Sequence, residues 1–510
     1  MAILTPFLAT VRWWSCYGGL LLAVQWCGAV PPPQHAAAPP TAARQTPPKP
    51  GALAPLIRAL LDTTATGSAR AADARLGLQA GAELRAFYGA AGTPGWTTAA
   101  DTFGANAAGA LALLAHAREH GLRPADYGGP RLLALHDSLT PPALAAHQAG
   151  QLARFDVLLT DAVLSYLRDL NRGRLHLYTV SVREKAVGTT GRAAVRLRTA
   201  LATSSVAAAV RASEPANREY RQLQEALAQW LAQPVVPDSA AAHRAQYELA
   251  ALNLERWRWE TMVPTGEYAW INIPAFELQV VAHDSVQRRH RVVVGAPKTR
   301  TPTLSSSIRY FTLAPDWHVP QSIAVKEMLP RLRRDPGYLG RNNYALYNAR
   351  DQQLDPTRIR WAAVTANAFT YTIRQAACCE NALGNIVFRF ANPYSVYLHD
   401  TPLRQLFTRP YRALSHGCVR LESPFALAAY LLRREGRPAL LPSEAECARQ
   451  PRPHDVRLLR PLPICIRYAT CTAENGQLRF FPDIYGRDEV LRRGLFGDHA
   501  SASVRSPRGQ

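Results

Sequence analysis

Apolar residues recur at helical spacing through the first half of the chain, from residue 52 to residue 240. The segment GANAAGALALLAHAREHGL ends at Gly121 with Pro124 shortly beyond, which is typical of a helix end. The longer segment PPALAAHQAGQLARFDVLLTDAVLSYLRDLNRG ends at Gly173, and we expect it to break near Asp156. A third helix is predicted in ANREYRQLQEALAQWLAQ, whose large apolar side chains share one face. The first half is therefore predicted to be a helical domain.

The pattern changes in the second half of the chain. One more amphipathic helix, HRAQYELAALNLERWRWE, is followed by short segments with alternating or β-branched residues. Glu277–His283 and His290–Gly295 are predicted strands that flank an Asp284–Ser285 turn, and Ser395–His399 is a third predicted strand. No fixed-period repeat is present, which sets aside solenoids and propellers. The second half is therefore predicted to be mostly β.

The first thirty residues have the features of an export signal. Arg12 is the single basic residue ahead of the apolar stretch Trp13–Trp26. Small residues follow this stretch, and cleavage is expected after Ala29. Residues 30–51 form a Pro/Ala linker, in which the prolines prevent regular structure. The apolar stretch is shorter than the ~20 residues of a spanning helix, so an uncleaved anchor is the second interpretation. We expect the body of the protein in the periplasm, with membrane contact only through an uncleaved signal.

The charge balance is strongly basic, because 59 Lys and Arg residues against 38 Asp and Glu residues give a net charge of +21. Such a charge favours anionic surroundings: nucleic acid, lipid headgroups or a carboxylate-bearing polymer. The arginines are scattered singly and no nucleic-acid-binding module is recognisable, so no nucleic-acid partner is expected. A generally basic, solvated surface is the plain alternative.

Eight cysteines are present, and Cys16 and Cys27 would leave with the signal. The spacing of the other six shows no paired Cys or His ligands, so neither a metal nor another cofactor is predicted. In an oxidising compartment the six predict one or two disulfides and one thiol with a chemical role. They are Cys378, Cys379, Cys418, Cys447, Cys465 and Cys471.

The segment SVYLHDTPLRQLFTRPYRALSHGCVRLESP carries the candidate chemistry. A cysteine attacks as its thiolate, so Cys418 needs a base, and His399, 19 residues upstream, is the expected partner. His416 is the rival base. Gly417 permits a tight turn, and the amides of Gly417 and Cys418 would face a developing oxyanion. Taken singly, a buried or disulfide-bonded cysteine and a core histidine are the commoner interpretations.

HDTP at residues 399–402 and SHGCVR at residues 415–420 resemble the signature of L,D-transpeptidases with the YkuD-like fold. The likeness extends to LNLERWRWE, WINIPAFEL, RVVVGAPKTRTP, DWHVPQSIAVKEMLP and QAACCENALGNIVFRFANPYSVYLHDTP, which are similar to the long YcbB type. LRAFY, EHGLRPADY and FDVLLTDAVLSYLRDLNRGRL resemble the helical scaffold domain of that type. Residues 182–233 are too short for the separate polymer-binding module of some relatives, so polymer binding is expected at the cleft and the basic surface.

The resemblance implies roles for individual residues. Cys418 would be the nucleophile, His399 the general base, and the backbone carbonyl of Asp400 the group that orients the imidazole, with Gly417 in the catalytic turn. For Arg420 an ion pair with Glu422 is the alternative role. The residues implied to contact substrate are Tyr397, on the same strand face as His399, and Trp317, Arg420, Ser415 and His416.

The implied fold is α+β and multidomain, with a helical scaffold domain ahead of a mostly β YkuD-like catalytic domain that carries a capping insertion. The predicted boundaries are signal peptide 1–29, linker 30–51, scaffold domain 52–240, catalytic domain 241–440 with the cap at 317–375, and a C-terminal extension, 441–510, that completes the catalytic domain and ends in a disordered tail.

The implied activity is peptidoglycan L,D-transpeptidation, which serves cell-wall biogenesis. Tetrapeptide stems would be donor and acceptor, D-alanine would leave, 3-3 cross-links would form through a cysteine acyl-enzyme, and carbapenem-type β-lactams would inhibit. Two alternatives stay open: an exported cysteine peptidase or amidase in which water takes the acyl group, and a non-catalytic wall-binding scaffold. A disulfide at Cys418 would favour the scaffold.

Overall fold

A computed structural model of the chain describes residues 51, 53–64, 67–97, 103–139, 146–175, 192–203, 205–260, 264, 266–378, 380–449 and 452–497. The predicted signal peptide, the linker as far as residue 50 and the tail beyond residue 497 lie outside the described residues. Within the described part, no helix is both long and apolar enough to cross a membrane.

The first half of the described chain is helical, as predicted. The long helix α6 contacts α1, α3, α4, α5 and α7, and its buried side chains, such as Phe155, Leu159 and Tyr166, form the centre of one hydrophobic core. The helices are α1 Leu53–Leu61, α2 Ala69–Leu76, α3 Gly81–Tyr88, α4 Ala105–Ala115, α5 Gly129–Leu139, α6 Ala146–Arg172, α7 Arg192–Ala202, α8 Val206–Arg211, α9 Arg218–Leu231 and α10 Ala240–Arg258.

Helix α6 runs unbroken through Asp156, so the predicted break there is wrong. The Asp156 carboxylate is fully buried, and it accepts hydrogen bonds from the Tyr88 hydroxyl at 2.6 Å and from the amides of Gly95 and Trp96 at 3.0 Å. Because these donors come from a distant segment, the carboxylate does not compete for the amides of its own helix. The polar residue anchors the segment that precedes α4 rather than ending α6.

The second half forms a nine-stranded sheet in the order β11-β3-β12-β10-β9-β4-β13-β1-β2. Since β2 also pairs with β3, the sheet closes on itself. Its strands are β1 Tyr268–Asn272, β2 Glu277–Ala282, β3 Ser285–Gly295, β4 Leu304–Leu313, β9 Ile386–Phe390, β10 Leu398–His399, β11 Ala413–Ser415, β12 Val419–Leu421 and β13 His454–Arg467. A hairpin, β14 Cys471–Glu474 and β15 Gln477–Phe480, follows.

Helices lie around this sheet. The α14 side chains Leu427, Ala428, Leu431 and Leu432 are fully buried and join the core of the sheet. Leu491 and Leu495 of α16 pack on Leu252 of α10. The helices of this half are α11 Gln321–Ile323, α12 Leu329–Arg334, α13 Tyr338–Arg341, α14 Pro424–Arg433, α15 Glu444–Arg449 and α16 Asp488–Phe496.

All three predicted strands differ in their bounds, and β2 ends one residue early, at Ala282. The β2–β3 turn is His283–Asp284, both with positive φ (51° and 58°), so β3 begins at Ser285 and is longer than predicted. Two left-handed residues match the twist of a two-residue hairpin loop. Ser395 also has positive φ, 54°, and the predicted strand Ser395–His399 shortens to the two residues of β10.

Residues 317–375 form a smaller unit with its own core. Its sheet has the order β5-β8-β6-β7. The core of the unit contains the buried side chains of Leu332, Leu346, Trp361 and Ile373. The strands are β5 Trp317–His318, β6 Tyr344–Tyr347, β7 Gln353–Leu354 and β8 Thr372–Gln375. We refer to residues 317–375 as the cap.

The expected disulfides are absent from the described residues. Five of the six C-terminal cysteines are described, and all five are free thiols: Cys378, Cys418, Cys447, Cys465 and Cys471. Three of them, Cys447, Cys465 and Cys471, are buried in hydrophobic clusters. They pack as small apolar side chains, which is the commonest role of a buried thiol. Cys379 lies outside the described residues.

We expect Asp156→Ala to destabilise the helical half. The change leaves the Gly95 and Trp96 amides without an acceptor in the core, and the Tyr88 hydroxyl keeps only Thr160 Oγ1, at 2.7 Å. At ~1–3 kcal/mol for each of the two unpaired amides, the free energy of unfolding should fall by about 2 kcal/mol or more. Urea denaturation measures the free energy of unfolding. Asp137→Ala, at a side chain that is 77% exposed on α5, is the control, and equal small losses in both variants would contradict the anchoring role.

Candidate active site

Cys418 lies on a tight turn between β11 and β12. Gly417 has φ of 119°, a conformation that favours glycine. The Ser415 hydroxyl donates to the Cys418 carbonyl at 2.5 Å and accepts from the Gly417 amide at 3.2 Å, while the Thr301 hydroxyl donates to the Gly417 carbonyl at 2.8 Å. Two side chains thus fix three consecutive peptide groups, and the position of the thiol follows from them.

Ser415 has a different place from the one expected. It is 3% exposed, and its hydroxyl is occupied within the turn. A hydroxyl with both of these bonds has little left to offer a substrate. We therefore correct Ser415 from a substrate-contacting residue to a residue that positions the Cys418 turn.

His399 lies on β10, the strand beside the one that follows Cys418. In the parallel pairing of β10 with β12, Leu398 is opposite Val419 and His399 is opposite Arg420. The His399 ring is buried, and its Nδ1 lies 2.5 Å from the Asp400 carbonyl oxygen. Because a carbonyl oxygen can only accept, Nδ1 carries the proton, and in the neutral ring Nε2 keeps its lone pair.

Burial keeps both members of the Cys418 and His399 pair uncharged. The pKa of His399 is lowered to about 3, first by burial and then by the nearby Arg420 charge, against the opposing bond to Asp400. Burial also raises the pKa of Cys418, and hydrogen bonds from the backbone and side chain of Tyr397 offset part of that rise. A neutral thiol and a neutral imidazole, both in contact with Tyr397, therefore replace the thiolate that the sequence led us to expect.

Tyr397 and Trp317 form one wall of the site. The Tyr397 ring meets the His399 ring edge to face at 5.6 Å, which puts both on the same side as predicted. The Tyr397 hydroxyl bonds with both Cys418 and Trp317, and burial raises its pKa. Since Trp317 begins β5, this contact ties the cap to the thiol. Arg389 stacks over the Tyr397 ring at 5.8 Å, a contact that the sequence analysis missed.

Arg420 is half-buried close to Cys418 and His399. Its expected alternative partner, Glu422, is engaged by Arg291 through bonds of 2.8 and 2.5 Å, so the Arg420–Glu422 ion pair is not formed. Among the described residues no carboxylate pairs with Arg420, and burial lowers its pKa. A guanidinium in this situation favours an incoming anionic oxygen.

His416 reaches into the cap. Its Nε2 lies 2.6 Å from Oε1 of Glu327, and about half of each side chain is exposed. The imidazole is therefore engaged by a carboxylate on the cap side, whereas the His399 ring is buried and bonds with the backbone of Asp400 and Leu383. Sequence reasoning missed Glu327, because the two residues are 89 positions apart.

Asp400 and Thr301 hold the segments next to His399 and Cys418 in place. The Asp400 carboxylate accepts from the Asn385 amide at 2.9 Å, and a Cβ on Gly384 would lie 2.4 Å from its Oδ2, so only glycine fits there. Thr301 also accepts from the Gly295 amide. Both Thr301 and Gly384 lie in segments that carry the family resemblance, and this resemblance is the sequence signal by which they could have been identified. No group of three or more metal-ligating side chains occurs in the described chain.

Comparisons with known proteins match both halves of the chain. A family model described as the L,D-transpeptidase catalytic domain matches residues 266–439, and a Scaffold domain model matches residues 82–227. A Haemophilus influenzae protein, provisionally named an L,D-transpeptidase, is 31% identical over 366 residues, which are 69% of this chain and 70% of that protein. A solved L,D-transpeptidase from Mycobacterium smegmatis is 16% identical over 39% of this chain and 58% of that one, with a TM-score of 0.20, too low to carry an argument.

We expect alkylation of Cys418 by iodoacetamide to depend steeply on pH. Burial raises the thiol pKa, so the thiolate is a minor species at neutral pH and its fraction grows about tenfold per pH unit. Peptide mapping of timed reactions between about pH 6 and pH 8.5 measures the rate, with the half-exposed Cys378 as internal reference. A rate that does not change with pH over this range would indicate a preformed thiolate and imidazolium.

Proposed function

The chain belongs to the L,D-transpeptidase family, and we propose that it forms 3-3 cross-links in peptidoglycan through an acyl-enzyme on Cys418. The observation that carries the proposal is the neutral His399, whose Nδ1 donates to the Asp400 carbonyl, so that Nε2 keeps the lone pair that can accept a proton. A base with this tautomer beside a thiol suits acyl transfer to sulfur.

The first half-reaction transfers the donor stem to the enzyme. As Cys418 Sγ attacks the carbonyl of the third residue of a tetrapeptide stem, His399 Nε2 takes the thiol proton. The bond to the terminal D-alanine then breaks, and the imidazolium gives that proton to the departing amine. A thioester remains, and His399 is neutral again.

The second half-reaction forms the cross-link. The side-chain amine of a diamino acid in the acceptor stem attacks the thioester, His399 accepts its proton, and the sulfur leaves and is reprotonated. One amide bond is replaced by another through a thioester, so the chemistry calls for neither ATP nor a metal.

An oxyanion forms in both half-reactions, and the Cys418 amide is the best-placed donor. In the described residues this amide has no hydrogen-bond partner, whereas the Gly417 amide already donates to Ser415 at 3.2 Å. A preorganised donor of this kind stabilises the tetrahedral intermediate without reorganisation.

The other predicted site residues have roles in holding the stems. The unpaired Arg420 suits a stem carboxylate, and Trp317 with Tyr397 lines the wall beside the thiol. His416 and Glu327 connect the Cys418 turn to the cap. In this proposal the cap covers the thioester and limits attack by water.

Peptidoglycan lies outside the cytoplasmic membrane, so the proposed activity requires export to the periplasm, in keeping with the signal-like N-terminus. The non-catalytic scaffold would be favoured by a disulfide at Cys418, whereas this thiol is free. A cysteine hydrolase differs from a transpeptidase only in the acceptor, and the product analysis below separates the two.

We expect Cys418→Ala and His399→Ala to lose at least about 10³-fold in cross-linking rate, because each removes a reacting group. His416→Ala should keep measurable turnover, since its ring is engaged by Glu327. Chromatography and mass spectrometry of tetrapeptide, tripeptide and cross-linked products measure all three. The control is Cys378→Ala, a half-exposed thiol outside the turn.

Retention of cross-linking by Cys418→Ala would contradict the proposal. Tripeptide without cross-linked product in the unmodified enzyme would identify it as a hydrolase. An inactive His416→Ala together with an active His399→Ala would assign the role of general base to His416 instead of His399.

A carbapenem should acylate Cys418 and inhibit the enzyme. Intact mass should increase by one carbapenem in the unmodified protein and in Cys378→Ala, and stay unchanged in Cys418→Ala, because in this proposal Cys418 is the nucleophile that His399 serves as base. An adduct that persists in Cys418→Ala would place the reactive nucleophile elsewhere.

A further inference from the structure

A cavity of about 350 Å³ lies where helices α9 and α10 meet strands β1 to β3 and the β14–β15 hairpin. It includes none of the residues assigned to the Cys418 site. Its volume is in the range of small-ligand sites. Segments far apart in the chain contribute to it: Gln222 of α9, Trp257 of α10, Gln279 of β2 and Phe481 after β15.

The cavity wall is rich in charge but balanced. Three arginines and three glutamates line it, and they pair with one another. Arg289 donates to Glu277 at 2.9 Å and to Glu474 at 2.5 Å, and Arg479 also pairs with Glu474. Because these charges are neutralised within the wall, an ionic ligand gains no net attraction there.

Neutral polar groups and aromatic rings complete the wall. Gln279 donates its amide to Glu277 at 2.6 Å, which leaves its carbonyl oxygen as an acceptor, and Gln222 adds a second amide. Trp257, Trp270 and Phe481 supply aromatic surface, and the two indole centroids are 6.3 Å apart. Fixed planar polar groups beside aromatic rings suit a neutral ligand with many hydroxyl or acetamido groups and apolar C–H faces.

We propose that this cavity binds an N-acetylated sugar of the glycan strand. The choice of peptidoglycan as the source of the sugar rests on the function proposed above, whereas the chemistry of the ligand rests on the cavity itself. A free peptide stem, which is anionic, fits the neutralised wall less well. Polymer binding is predicted from the sequence at the cleft and the basic surface, and this cavity adds a third place.

The cavity is displaced from the thiol along β3. Glu277, which lines it, pairs with Arg291, four residues before Gly295, and Gly295 contacts the Cys418 turn through Thr301. At ~3.3 Å per residue this separation is about 13 Å, whereas three extended stem residues span at most about 11 Å. In this proposal the cavity therefore holds a neighbouring sugar of the strand and keeps the polymer beside the enzyme.

The test is titration calorimetry of the full mature protein with a peptide-free tetramer of β-1,4-linked N-acetylglucosamine. Ala275 lines the cavity, so the large side chain of Ala275→Trp should fill the cavity. Gln222→Ala should remove one amide from its wall. Each should weaken binding by about tenfold or more. Ala275→Ser and Gln229→Ala, the latter on α9 outside the cavity lining, are the matched controls and should bind like the unmodified protein.

Saturable binding that is lost in the two cavity variants and kept in the two controls supports the site. No saturable binding, or equal binding in Ala275→Trp, overturns it. Carbapenem acylation of Cys418, followed by mass in the same variants, reports separately on the catalytic proposal. Acylation should stay normal in all of them, so failure of the sugar site and failure of the active site give different results.

Discussion

The hydrogen bond from His399 Nδ1 to the Asp400 carbonyl is the constraint on which the site depends. It fixes the tautomer, so that only Nε2 can take a proton, and it fixes the plane of the ring. Burial and the Arg420 charge add the second condition, a neutral ring at physiological pH. A neutral base and a neutral thiol move a single proton during attack, and no thiolate–imidazolium ion pair has to be stabilised in the resting enzyme.

The rest of the fold holds this arrangement in place. β10 is only two residues long and lies between β9 and β12. Thr301 and Ser415 fix the Cys418 turn, and Gly384 leaves room for the Asp400 carboxylate. Trp317 and Glu327 reach the site from the cap, through Tyr397 and His416. The reactive groups are therefore local in sequence, whereas the groups that position them come from the whole second half of the chain.

The sequence predicts the features that depend on local pattern or on a compact motif. The helices of the first half follow from their spacing, and Cys418, His399 and the Asp400 carbonyl follow from the two short blocks that resemble the family. Asp156 shows where this reasoning fails, because its role depends on donors about 60 residues away. The protonation of Cys418 depends on burial, which no local pattern encodes, and the Glu327 partner of His416 lies in a different unit.

The most direct test of the neutral pair is ¹⁵N NMR of His399 in histidine-labelled protein, with the signal assigned by its loss in His399→Gln. The account predicts one protonated and one unprotonated ring nitrogen, unchanged from pH 8 down to about pH 5, because the pKa of the ring is far below this range. An imidazolium signal at pH 7 that disappears in Cys418→Ala would show a thiolate–imidazolium pair and contradict the account.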